Sequence, residues 1–221
     1  MHGATLLPSH HPIPANTWKN GAVAVSVRRS STPGVAPAGD SRAAADQLLR
    51  HVMVVGGTLA EWKALGADRW DALVAGLGDV ADRAGASFLT LRAYQSGAED
   101  PGAGDVDLDR WERKVGECLV IVDPCGDGRE RFAESMRRLP ADEPVNEATV
   151  AEVLYAPADV EPDLIVVLGP STRLPPSLVW ELAYSELVFH PMAWQELTPD
   201  DLIDAIADFA KRSRRFGGLD E

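Results

Sequence analysis

Four short apolar runs, separated by stretches with helical periodicity, constrain this chain more than any other feature. HVMVVGG (His51 to Gly57), SFLTLRAY (Ser87 to Tyr94), ECLVIVDP (Glu117 to Pro124) and DLIVVLG (Asp163 to Gly169) are nearly continuous rather than alternating. A strand that faces water on one side alternates, so continuous runs predict strands buried on both faces. After the first run, Leu59, Trp62, Trp70, Leu73, Leu77 and Val80 recur at helical spacing up to Gly85. A short helix containing Trp111 is expected before the third run. GRERFAESMRRLP predicts an amphipathic helix ending at Pro140, and NEATVAEVLY another with Asn146 as its N-cap. LVWELAYSEL and TPDDLIDAIADFAKRSRRF predict two more. Strands alternating with helices imply an α/β domain, a parallel β-sheet with helices on both faces. Ligands of such sheets bind beyond the carboxyl ends of the strands. A site is therefore expected around Gly56 to Leu59, Tyr94 to Gly97 and Leu168 to Arg173.

Residues 1–45 are rich in Ser, Pro, Gly and Ala, which predicts a flexible leader with at most one edge strand at AVAVSV (Ala22 to Val27). The domain is expected at 46–221. His10 and His11 lie in the leader without partner ligands, so a solvated tail explains them. Lys and Arg number 21 against 34 Asp and Glu, a formal net charge of −13. Such a surface repels phosphate backbones and anionic lipid, which argues against nucleic-acid binding and general membrane adhesion. No apolar run approaches the roughly 18 residues of a transmembrane helix, and the first residues do not read as a signal peptide. Two cysteines, Cys118 and Cys125, form neither a disulfide framework nor a zinc site. A cytoplasmic location is expected.

Several motifs have plain structural explanations. DDLID (Asp200 to Asp204) spells a diphosphate-metal motif, but it follows Thr198 and Pro199 and so starts a helix with acids near the positive dipole end. GDVDLD (Gly104 to Asp109) resembles half of a calcium loop, yet Arg110 stands where the required glycine would be. VVGGT matches neither phosphate-cradling glycine pattern. Neither cysteine has a histidine base at a recognisable spacing. RSRRFGG (Arg212 to Gly218) holds the densest positive charge. Its two readings, a basic helix end and a guanidinium fork ready for a diphosphate, stay open on local sequence alone.

PDLIVVLGPSTRLPPSLVWELAYSELVF (Pro162 to Phe189) resembles the pattern PDLLIRTGGEQRLSNFLLWQLAYSELYF of the cis-prenyltransferase, or undecaprenyl diphosphate synthase, family. Trp180, Leu182, Ala183, Tyr184, Ser185, Glu186, Leu187 and Phe189 match without a gap. RRFGG (Arg214 to Gly218) resembles the family's ending, and HVMVVGGTLAEW (His51 to Trp62) its opening strand and turn. The resemblance implies an undecaprenyl diphosphate synthase-like fold and isoprenyl diphosphates as the ligand class. It also implies Mg2+ as cofactor, at most shared with a partner.

The departures concern chemistry. The family's catalytic aspartate falls at Gly57, so no catalytic residue is carried over. The Asn and Arg of that motif become Leu59 and Glu61, and the segment from Trp62 to Leu91 is shorter by the piece that holds a phosphate loop. A Ser-Thr-Glu-Asn-Trp loop is replaced by Gln95, Ser96, Gly97 and Ala98. The long apolar helix of a polyprenyl tunnel is missing. Of two arginines that clamp a diphosphate, one becomes Val167 and the other is retained as Arg173. The serine beside it becomes Pro175. Glu186, a metal-associated acid in the family, is retained. So is the terminal Arg-x-Gly, here Arg215-Phe216-Gly217, which in the family reaches across the dimer interface to the partner's substrate diphosphate.

That combination resembles the accessory subunit of two-component cis-prenyltransferases, such as the one built with the Nogo-B receptor. The expectation is a catalytically deficient subunit that pairs with a catalytic cis-prenyltransferase, or with itself, and offers Arg215 and Gly217 to the other chain. Two alternatives stand beside it: a divergent active prenyltransferase using Glu61 or Glu186 at the metal, and a binding or regulatory protein on the same fold.

Overall fold

The computed structural model describes residues 49–94, 110–183 and 185–216, with side chains as far as 212. The leader, the segment from Gln95 to Ala98, the GDVDLD motif, Tyr184 and Gly217 lie outside the described residues. So does the side chain of Arg215.

Strands β1 (His51–Val55), β2 (Phe88–Arg92), β4 (Cys118–Asp123) and β5 (Leu164–Leu168) are the four apolar runs. They join β3 (Trp111–Val115) and β6 (Glu186–His190) in one six-stranded sheet of order β3-β4-β2-β1-β5-β6. Every pairing is parallel except β3 with β4, an antiparallel hairpin turned at Gly116. The helices are α1 (Leu59–Ala64), α2 (Ala67–Arg83), α3 (Gly128–Arg138), α4 (Glu147–Tyr155) and α5 (Pro199–Phe216). The expected α/β architecture is present.

Two elements differ from expectation. Trp111 lies on β3, not on a helix. WERKV alternates half-buried and exposed residues, a period of two that a single exposed face produces. LVWELAYSEL does not form a helix either. A 3₁₀ turn at Glu181–Ala183 is followed directly by β6, because Leu187, Val188 and Phe189 are β-formers that complete the sheet beside β5. The long helical pattern after β1 also divides, at Gly66, into α1 and α2. Asn146 caps α4 as expected, accepting from the Thr149 amide at 3.1 Å.

The sheet separates two apolar layers. Val52, Val54, Leu89, Leu91, Val120, Val166 and Val188 pack under α2 and α5, whereas Met53, Val55, Ile121, Ile165 and Val167 pack with Leu154, Tyr155 and Leu178 on the other face. Alternate residues of each strand supply the two layers, which is why the strand sequences show no alternation of their own. At the amino end of the second layer His51 is buried, its Nδ1 2.9 Å from the Val160 carbonyl and its Nε2 2.9 Å from Thr90 Oγ1. Burial lowers its pKa to about 4.

Candidate functional site

The turn after β1 is closed by tryptophan. Gly57 has φ of +68°, the left-handed region that glycine enters without a steric penalty. A Cβ there would lie 2.7 Å from Trp194 Cγ, 2.8 Å from Trp194 Cβ and 3.0 Å from Trp62 Cδ1. Trp62 donates to the Gly56 carbonyl at 2.8 Å and stacks on Trp194 with ring centroids 5.1 Å apart, while Trp70 packs against both. Thr58 then starts α1 through a capping box: its hydroxyl accepts from the Glu61 amide at 3.2 Å, and Glu61 Oε2 accepts from the Thr58 amide at 2.8 Å. Glu61, an alternative metal ligand on sequence grounds, is engaged in capping.

At the carboxyl ends of β2 and β4, in the layer under α3, the structure buries a set of charges that the sequence reading missed. Arg92 and Asp123 are register partners in the sheet. Glu181 Oε1 accepts from Arg92 at 2.6 Å and from Arg131 of α3 at 3.0 Å. The Nε atoms of both arginines lie 3.3 Å from Asp123 Oδ2. For Arg92 that approach is an ion pair without hydrogen-bond alignment, since its Nε has no hydrogen-bond partner. Burial alone would push both carboxyls up; Arg92 and Arg131 outweigh it and hold Asp123 and Glu181 below the ordinary carboxylate range. Arg110, half-buried at the edge of this group, donates to the Ala156 carbonyl. Arg92 at the end of β2 and Asp123 at the end of β4 were the signals available in the sequence: charges closing otherwise largely apolar runs.

The remaining site residues divide between the two ends of the sheet. Arg173, exposed, follows β5 and bears on the ionisation of Tyr94, which follows β2, so both lie at the carboxyl end. Glu186 opens β6 and pairs in register with Leu164, the first residue of β5, so it lies at the amino end. There its carboxylate is 3.6 Å from Arg212 Nε, and Arg212 also donates to the Leu187 carbonyl at 3.3 Å. The structure therefore brings Glu186 to the end of α5 and separates it from Arg173 and Gly57. Among the described residues no group of three or more His, Cys, Asp or Glu is placed to hold a metal ion. The donors among the described residues do not fit a magnesium site by themselves.

The motifs with structural explanations fall into place. Asp201 accepts from the Thr198 amide at 2.8 Å and from its hydroxyl at 2.6 Å at the start of α5. Cys118 is buried, and its thiol is pushed up to about 12 by desolvation. Cys125 shifts the same way, so neither sulfur is an activated nucleophile. Among the described residues no helix is long and apolar enough to cross a membrane.

A mostly parallel α/β sheet with its loops gathered at the strand ends defines the class, one that a crystal structure of a probable undecaprenyl diphosphate synthase from Campylobacter jejuni shares. The TM-score is 0.54 at 18% identity, over 77% of this chain and 99% of that one; at this identity the likeness shows the fold alone. A family model described as putative undecaprenyl diphosphate synthase matches residues 119–217. Isoprenyl transferase 2 of Bradyrhizobium diazoefficiens is 46% identical over 83 residues, 38% of this chain and 32% of that protein. The isoprenyl transferase of Bacillus subtilis is 27% identical over 130 residues, 59% of this chain and 49% of its own length. Over residues 119–217 the chain is thus similar to the putative undecaprenyl diphosphate synthase family model, and over parts of its length to isoprenyl transferases. The matched stretches span between about a third and a half of these two relatives.

Proposed function

We propose that this chain is a catalytically deficient cis-prenyltransferase homologue that serves as accessory subunit of a heteromeric polyprenyl diphosphate synthase. In this role it offers Arg215 and Gly217 to the diphosphate site of a catalytic subunit. The observation that carries the reading is the filled turn at Gly57. Ionising an allylic diphosphate depends on electrostatic stabilisation of the leaving group, and a carboxylate that positions a metal contributes several kcal/mol to it. Here the position has no carboxylate, and Trp194 and Trp62 occupy the volume in which one would stand. A buried, internally neutralised set of charges lies at the neighbouring strand ends.

The placement of α5 supports the partner-directed half of the reading. Its last described side chain, Arg212, lies beside Glu186 at the amino end of the sheet, remote from Gly57 and Arg173. Helix α5 thus carries its last described side chain to the end of the sheet opposite the chain's own strand-end loops. Glu186 would complete a magnesium site only together with acids from another chain, and Arg173 is the residual diphosphate contact of this one.

The test is isopentenyl transfer measured with the purified chain, with a catalytic homologue, and with both. The expected result is no magnesium-dependent turnover by the chain alone and stimulation of the homologue that Arg215→Ala removes. Robust turnover by the isolated chain would overturn the proposal.

A further inference from the structure

Helix α3 does not sit on the fold through apolar burial. Its buried residues are Gly128, Arg131 and Ser135, none of them a large apolar side chain. Its grip comes from a close backbone approach, a guanidinium and an aromatic stack. The approach is at Gly128, whose amide donates to the Pro176 carbonyl at 3.2 Å. A Cβ there would lie 2.7 Å from Val179 Cγ2 and 2.9 Å from the carbonyl oxygens of both Pro176 and Ser177. Two of these three atoms are backbone, so a larger residue could enter only by moving the whole segment. Arg131 supplies the guanidinium. It donates to Glu181 at 3.0 Å, to the Leu154 carbonyl at 3.4 Å and to the Ser177 carbonyl at 3.5 Å, with its Nε 3.3 Å from Asp123. Phe132 stacks on Trp180, ring centroids 5.8 Å apart.

What α3 grips is the segment between β5 and β6. That segment closes on itself through two turns, with the Arg173 amide donating to the Pro170 carbonyl at 3.2 Å and the Leu178 amide to the Pro175 carbonyl at 3.1 Å. Ser177, Leu178 and Glu181 are buried, and Glu181 also accepts from Arg92 at 2.6 Å. The segment is thus pinned at one end and exposed at the other. Its exposed end carries Arg173, whose guanidinium has no ion-pair partner among the described residues. Tyr94, whose hydroxyl is buried without a hydrogen-bond partner and whose ionisation Arg173 influences, stands at the same strand ends.

We infer that α3 is a platform that fixes the geometry of Arg173, and that Gly128, Arg131 and Glu181 are positioning residues for the anion this arginine contacts. The inference rests on the reading of Arg173 as a diphosphate contact. An arginine on a free loop loses both backbone and side-chain entropy when it binds, and that loss subtracts from affinity. Here the backbone has been ordered in advance by residues that never touch the anion. Arg131 makes the clamp cooperative, because one guanidinium ties Ser177 and Glu181 to Asp123 at the end of β4 and to Leu154 on α4. The buried charges thereby acquire a task beyond holding layers together: they carry the position of α3 to an exposed cation some residues away along the chain.

Titration calorimetry of the full chain with inorganic pyrophosphate provides the test. The wild-type chain is expected to bind the probe, and Arg173→Ala to lose most of that binding. Gly128→Ala pushes the Pro176 and Ser177 backbone aside, and a misplacement of this kind should weaken binding about tenfold. In the Arg173→Ala background the same change should add little, a coupling that a merely structural role does not produce. Tryptic cleavage after Arg173, located by mass, should be slow in the wild type and faster in Gly128→Ala. Phe132→Leu loosens the same grip without a clash and should act in the same direction, which keeps the test decisive if Gly128→Ala does not fold. The two ways of failing are distinct. A wild-type chain that binds no pyrophosphate overturns the reading of Arg173, and the positioning role with it. Binding that Arg173→Ala removes, but that the folded Gly128 or Phe132 variants keep at wild-type strength, overturns the positioning role alone.

Discussion

Gly57→Ala is the smallest change that probes the filled turn. A non-glycine residue at φ of +68° costs about 1–2 kcal/mol. The added methyl would meet Trp194 at 2.7 and 2.8 Å, well inside van der Waals contact, and overpacking of this kind costs about 1–3 kcal/mol. The expected loss is therefore about 2–5 kcal/mol, a large share of a total stability on the order of 5–15 kcal/mol. Gly57→Asp adds the desolvation of a carboxylate, about 1–3 kcal/mol more. Trp194→Ala alone should cost about 3–5 kcal/mol, but it also opens the space that the new side chain needs. Urea unfolding of the four proteins in the Gly57→Ala and Trp194→Ala cycle should thus show a favourable coupling of about 1–3 kcal/mol. A Gly57→Ala protein within about 0.5 kcal/mol of wild type, with additive effects in the cycle, would refute the reasoning.

Two further outcomes follow from the buried groups. Glu181→Gln leaves Arg92 and Arg131 sharing a single carboxylate and should cost about 3–5 kcal/mol in urea unfolding, while replacing Arg92 and Glu181 together by Met should cost less than the two single changes added. His51 has a folded pKa of about 4 against an ordinary 6.5, so between those values the unfolded chain binds the extra proton and stability falls as pH drops. That loss, roughly 3 kcal/mol by pH 4, should be flattened in unfolding-versus-pH curves of His51→Gln; below it, Asp123 and Glu181, whose folded pKa values are depressed, add a second decline.

The buried strands were legible because a strand covered on both faces leaves a continuous apolar run, and β1, β2, β4 and β5 all do. β6 was not, because Leu187, Val188 and Phe189 follow Trp180 and Leu182 at spacings that suit a helix as well as a strand. Only the vacancy beside β5, a tertiary fact, decides between them. β3 was obscured by its charges, which mark an edge strand and not a helix. At the site, the absence of an acid at Gly57 could be read directly, but its cause could not. Trp194 lies far along the chain, and the fit of an indole against a glycine is a matter of packing. The Arg92–Asp123–Arg131–Glu181 set was spread over four elements. Each charge had an ordinary surface explanation until the fold brought them together in one dry layer.

The packing around Gly57 also bears on the history open to this chain. A side chain at position 57 requires that Trp194 first give way, and shrinking Trp194 first leaves a hole beside Trp62. Each step taken alone lowers stability, and the pair together costs less than the two steps added. Single substitutions therefore lead downhill from the present sequence in both directions. The glycine is held as a one-way lock, kept in place by its aromatic neighbours regardless of any demand on the chemistry of the turn.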